Sequence, residues 1–170
     1  VTDTATRASP LAEHQLDLAD ADATNQLAAR LAGSRPPRAV VYLEGELGAG
    51  KSTLARALLR SLGVVGTIRS PTYTLVERYP LPAGGEAWHM DLYRIGDPGE
   101  LEFLGLDGDD VVLWLVEWPE RGVGGLPAAD LRVQLTMKGD GRHARLAAGT
   151  VAGRTWLDTL SATKGAPANS

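Results

Sequence analysis

The sequence contains no cysteine. That excludes a disulfide framework and any thiolate metal site, and it points to the reducing cytoplasm as the expected location. Positive charge is not in excess either. A formal net charge of -4 provides no global basic field of the kind that holds nucleic acid directly, so any RNA in this protein's biology is expected to enter through a partner. No uninterrupted apolar stretch approaches the about 20 residues of a membrane-spanning helix, and residues 1–7 lack the basic start and apolar core of a secretory leader. A soluble protein without membrane association is expected. No internal repeat is present.

The 170 residues, 44% hydrophobic and 22% charged, suffice for one domain with a full core. Small and polar residues dominate both ends, so the organisation expected is a flexible tail over 1–11, a single domain over 12–160 and a second flexible tail over 161–170. The most informative stretch is Gly45-Glu46-Leu47-Gly48-Ala49-Gly50-Lys51-Ser52-Thr53, between the apolar run Ala39-Val40-Val41-Tyr42-Leu43 and a helical pattern with Leu54, Leu58, Leu59 and Leu62. This is the strand, phosphate loop and helix of the Walker A pattern. Glycines let the backbone approach a phosphate that a Cβ would obstruct. The N–H groups of Gly48, Ala49, Gly50, Lys51, Ser52 and Thr53 and the helix N-terminus would then cradle the phosphates of a nucleotide. Lys51 would meet the outer phosphates as a point charge, and the Ser52 hydroxyl would serve Mg2+.

Around this motif the chain reads as an α/β fold. Glu13-His14-Gln15-Leu16-Asp17-Leu18 alternates like an edge strand, Asp20 is positioned to cap a helix carrying Leu27 and Leu31, and His14 reads as a surface residue. Two alternating segments about Lys138-Gly139-Asp140-Gly141-Arg142 form a hairpin, and a final helix containing Trp156 follows. The run Val111-Val112-Leu113-Trp114-Leu115-Val116-Glu117-Trp118 reads as a strand covered on both faces, as in a parallel sheet with helices on either side. Asp97-Pro98 opens a brief helix before it.

Two acids stand near strand ends, where open α/β sheets bind ligands. Asp91 lies near the end of a strand read over Glu86 to Arg94, and Glu117 at the exit of the apolar run; each has the placement of a carboxylate that holds Mg2+ opposite a phosphate loop. His89 shares the Asp91 face of its strand and is read as packed. Trp118 is open between a half-buried anchor and a residue at a ligand or partner surface. Ser70-Pro71-Thr72-Tyr73-Thr74 is open between a plain hydroxyl-bonded turn and a loop whose Thr72 and Thr74 sense the phosphate end.

A phosphate loop leaves hydrolysis, phosphoryl transfer and nucleotide-gated binding all open. The base-reading string Asn-Lys-x-Asp is missing, which favours ATP over GTP, and there is little room for the lid of a small-molecule kinase. Taken together, the Walker segment, Ser70-Pro71-Thr72-Tyr73-Thr74-Leu75, His89-Met90-Asp91-Leu92-Tyr93-Arg94, Leu101-Glu102-Phe103-Leu104-Gly105-Leu106 and Glu117-Trp118-Pro119-Glu120-Arg121 resemble the bacterial TsaE family in order and spacing, over roughly residues 16–148. Ser52 stands where family members often have Thr and keeps the hydroxyl. The resemblance implies a three-layer P-loop domain with a mixed, partly parallel sheet, and an ATPase required for threonylcarbamoyladenosine on tRNA beside the anticodon, acting with TsaD and TsaB proteins. It implies catalytic roles for Asp91, Lys51 and Glu117, Mg2+ held through Ser52, Glu117 and Asp91, Thr72 in a switch-like loop, Trp118 near the nucleotide, and Ala23 and Thr24 approaching the adenine. The competing expectations are a small P-loop kinase and a nucleotide-gated subunit whose hydrolysis is incidental.

Overall fold

A computed structural model describes residues 8–162. A seven-stranded mixed sheet organises them: β1 (Ala12–Leu18), β2 (Ala39–Glu44), β3 (Val76–Pro80), β4 (Glu86–Asp91), β5 (Val111–Glu117), β6 (Leu131–Lys138) and β7 (Gly141–Ala148), in the spatial order β1-β7-β6-β2-β5-β4-β3. The four central strands run parallel, β2 pairing with both β5 and β6, and β5 with β4. Antiparallel pairs close the sides, β7 and β1 beyond β6 and β3 beyond β4. The alternating run at residues 12–18 is therefore an edge strand, as its pattern predicts.

Three helices, α1 (Ala21–Ser34), α2 (Lys51–Ser61) and α3 (Val151–Ala162), cover one face. Leu27 and Leu31 of α1, Leu54, Leu58 and Leu59 of α2, and Trp156, Leu157 and Leu160 of α3 pack onto Val41, Leu43, Leu113, Leu115, Val133 and Leu146 of the sheet. Asp20 caps α1, its side chain accepting a hydrogen bond from Ala23 N at 2.9 Å. Trp156 anchors α3: its ring is buried and Nε1 donates to the Leu31 carbonyl at 3.2 Å. Trp156→Ala is expected to cost about 3–5 kcal/mol in a urea titration, because a large cavity opens where two helices meet the sheet.

The second face of β5 and β4 is also covered, in part by the brief helix expected after Asp97, which is a 3-10 helix. Trp88, Met90, Trp114 and Val116 pack under Leu92, Ile95 and Leu101, carried by the loop after β4 and a 3-10 helix at Pro98–Leu104; a second 3-10 turn follows at Pro119–Gly122. Asp97 caps the first with a reciprocal Glu100 contact, which satisfies its end groups. The strand expected to run on to Arg94 stops at Asp91, where the chain turns so that Leu92 and Ile95 fold back into this layer. At the ends, Leu11 N bonds Ala148 O at 3.0 Å, and α3 continues through Ser161 and Ala162, two residues into the stretch read as a tail. Residues 1–7 and 163–170 of the two expected tails lie outside the described residues.

This topology positions the site. Parallel pairing places Leu43 opposite Glu117 and Glu117 opposite Asp91. The C-terminal ends of β2, β5 and β4 thus lie on one edge, where open parallel sheets bind ligands.

Candidate functional site

The loop after β2 is shaped by glycine where no other residue fits. Gly45 has φ 144°, and a Cβ there would lie 2.5 Å from the Leu135 carbonyl oxygen. Gly48 and Gly50 have φ of 80° and 102°, values that L side chains adopt at a cost. Ala49 N closes the turn on Glu46 O at 3.1 Å, and α2 begins at Lys51 with its N-terminus at the loop. Backbone donors and the positive end of a helix dipole therefore converge on one space.

Lys51 is only 4% exposed. Its Nζ donates to the carbonyls of Gly45 at 2.5 Å and Glu46 at 2.8 Å and lies 4.4 Å from the centre of the Trp118 ring. Burial lowers its pKa, and the carboxylates of Glu117, Asp91 and Glu120 oppose that shift. A cation held by two neutral carbonyls in an acid-lined cleft is ready to exchange them for a stronger anion.

Across from it, the Ser52 hydroxyl lies 3.0 and 3.1 Å from the two oxygens of Glu117, which is 2% exposed. Asp91 is the lateral neighbour of Glu117 in the sheet, and its Oδ1 accepts from Tyr93 N at 3.0 Å. Lys51, Ser52, Thr53, Thr72, Asp91, Glu117 and Trp118 line one cleft with Gly48 and Gly50, of about 400 Å3. Thr24, Ala49, Gly50 and Thr53 line a smaller adjoining cleft with Asp20. Ala23 lines neither: it packs against the core and caps through its N–H. A further groove, on the sheet face away from the α-helices, is lined by Tyr42, Glu44, Arg132, Gln134 and Arg145. It has no loop of backbone donors and no helix N-terminus, so the chemistry belongs to the first cleft.

The segment at residues 70–75 forms a turn with hydroxyl contacts, Ser70 to Thr72 at 2.7 Å and Thr74 to Glu77 at 2.9 Å. Thr72 faces the cleft, whereas Thr74 is tied to β3. Leu75 ends the turn at φ 66° and accepts from Asp91 N at 3.0 Å, so the loop is joined to the strand that carries the acid. Trp118 also adopts a left-handed backbone, φ 56°. That abrupt turn out of β5 brings its ring onto Lys51 and against Tyr93, at 4.9 Å between centroids.

His89, read from sequence as packed, is buried but also bonded: Nε2 lies 2.6 Å from Glu117 Oε2. The partner is 28 residues away in sequence and on the neighbouring strand, and only the register reveals it. Nδ1 has no partner, which makes Nε2 the ring position that holds the carboxylate in place. His89→Leu is expected to leave the buried Glu117 carboxylate without this partner and to cost about 1–3 kcal/mol in a urea titration. Sequence reasoning also missed Tyr93 and Arg142. Arg94 lines the cleft but lies over the Tyr73 ring at 4.4 Å, and Arg78 is occupied by Trp88 and the Leu104 carbonyl.

Known proteins share this arrangement of sequence. The family model described as threonylcarbamoyl adenosine biosynthesis protein TsaE matches residues 18–145, a span that contains every site residue named above. The chain is similar to the tRNA threonylcarbamoyladenosine biosynthesis protein TsaE of Haemophilus influenzae, 45% identical over 126 residues covering 72% of this chain and 78% of that one. The protein of the same name from Bacillus subtilis is 37% identical over 124 residues, 69% and 73% of the two chains. The crystal structure of Bacillus subtilis YdiB matches the fold with a TM-score of 0.70 at 25% identity, over 91% of this chain and 97% of that one.

Proposed function

The chain belongs to the TsaE family of threonylcarbamoyl adenosine biosynthesis proteins, and from that premise we propose that it is a Mg2+-dependent ATPase required for threonylcarbamoyladenosine formation on tRNA. It acts in the cytoplasm with TsaD-type and TsaB-type proteins, and meets tRNA through that complex. The observation that carries the reading is the contact of Ser52, in the phosphate loop, with Glu117, beside Asp91. A phosphate cradle alone would suit any anion. A hydroxyl and two carboxylates set into its rim add the oxygen donors of a hard cation.

The residues fit both groups. Loop N–H groups, the α2 N-terminus and the Lys51 ammonium suit a polyphosphate. Among the described residues no cluster of three or more His, Cys, Asp or Glu could hold a metal unaided. That accords with Mg2+, which keeps much of its shell for water and nucleotide oxygens and takes one or two carboxylates from the protein. Ser52 and Glu117 would hold it, with Asp91 beside them, and its positive charge would offset the negative charge of a polyphosphate.

The protein's own groups do the rest. Lys51 gives up the Gly45 and Glu46 carbonyls for phosphate oxygens. His89 keeps the Glu117 carboxylate oriented. Asp91 stands where a carboxylate can orient the attacking water or accept its proton. Trp118 and Tyr93 wall the cleft, while Thr72 carries the state of the outer phosphate to the loop joined to Asp91. Thr24 in the adjoining cleft and the missing guanine-reading string support adenine as the base. Calorimetry with ATP and GTP tests the binding half of this reading: ATP should bind more tightly with Mg2+ than without it, and more tightly than GTP. Equal affinity for both nucleotides, or no effect of Mg2+, would count against it.

A further inference from the structure

Arg142 is the second residue of β7, and its guanidinium donates to two consecutive carbonyls of the phosphate loop, Nε to Ala49 O at 3.1 Å and Nη2 to Gly48 O at 3.2 Å. Its Nη1 is held by the Gly141 carbonyl of its own strand at 2.9 Å, so the fork is fixed at its base. Arg142 lines both clefts and forms the ridge between them. In a trans peptide the C=O and the following N–H point in opposite directions. Bonding Gly48 O therefore directs Ala49 N–H, which meets Glu46 O, and bonding Ala49 O directs Gly50 N–H. The positive charge also polarises both peptides, strengthening their N–H groups as donors.

Two cations thus hold one loop by different carbonyls. Lys51 takes Gly45 and Glu46, and Arg142 takes Gly48 and Ala49. We propose that Arg142 is a positioning residue for the phosphate loop, which keeps the loop's turn in place and the Gly50 N–H aimed once Lys51 leaves its carbonyls for a polyphosphate. Glycines at 48 and 50 leave that stretch free to choose other conformations; the guanidinium on the hairpin selects one. A lysine ammonium lacks the planar fork whose fixed geometry matches these two consecutive carbonyls. The proposal rests on reading the cleft as a nucleotide site.

The test compares Arg142→Ala, Arg142→Lys and the wild-type chain, using ATP and ADP as calorimetric ligands and amide hydrogen exchange of the loop in the nucleotide-free protein. Arg142→Ala should bind both nucleotides about tenfold more weakly, on the scale of hydrogen bonds to a charged group, and its loop amides should exchange faster. Arg142→Lys should fall between, and the fall in kcat/KM should lie in KM more than in kcat. A merely structural strut would lower the melting temperature without speeding loop exchange selectively. Wild-type affinity and unchanged loop exchange in Arg142→Ala would overturn the proposal, as would equal behaviour of Arg142→Lys and the wild type. If Arg142→Ala does not fold, Arg142→Lys carries the comparison. If the wild-type chain binds neither nucleotide, the reading of the cleft fails, while loop exchange still decides whether Arg142 orders the loop.

Discussion

Lys51→Ala is expected to weaken ATP binding by about 100-fold or more, and to stop tRNA modification with it. Lys51 is the cation that faces the cleft from within the loop, and Glu117, Asp91 and Glu120 act on it electrostatically. Without it those carboxylates would confront a polyphosphate with no ammonium between them. Loss of the charged hydrogen bonds from the ammonium to phosphate, at about 1.5–3 kcal/mol each, reaches the stated factor. The fold should survive, because removing a buried ammonium also removes the cost of burying it. Circular dichroism of wild-type character with calorimetric affinity lowered as stated is the expected result; affinity within threefold of the wild type would contradict it.

Asp91→Asn should separate binding from turnover. The amide oxygen can still accept from Tyr93 N, as Oδ1 does at 3.0 Å, so the strand end should keep its shape. What disappears is the charge and the proton acceptor beside Glu117. Turnover is expected to fall by about 100-fold or more, the range of a lost general base or water-orienting group, with ATP affinity held or increased as repulsion of the phosphates drops. Modification of tRNA should stop as well. A normal level of modified base with this variant would instead favour a nucleotide-gated subunit whose hydrolysis is incidental.

The local parts of this site were legible in the sequence, and the parts made by register were not. Gly45, Gly50, Lys51 and Ser52 announce themselves because one loop carries them all, and Asp20 announces α1 by its position before an apolar stripe. Asp91 and Glu117 could be placed at strand ends, but that they are neighbours depends on parallel pairing of β4 with β5. His89 is the same case, since its bond to Glu117 crosses 28 residues of chain. Arg142 lies 93 residues from Ala49, and an arginine beside a hairpin turn has no local mark that sets it apart from a solvated one. The second layer was legible in outline only, for a related reason. Continuous burial of β5 shows that something covers both faces, but not whether α-helices or short 3-10 turns do so. Trp118 could be left open between anchor and site residue because its left-handed backbone, which swings the ring over Lys51, has no glycine or asparagine to signal it.

The most direct test of the account is the steady-state rate of ATP hydrolysis by the purified protein with Mg2+, with and without the TsaB-type and TsaD-type proteins of the same source. Slow turnover alone and clear stimulation by the pair, lost in Asp91→Asn, is the result predicted for a partner-coupled ATPase. Turnover indifferent to the pair, or none under either condition, would contradict it.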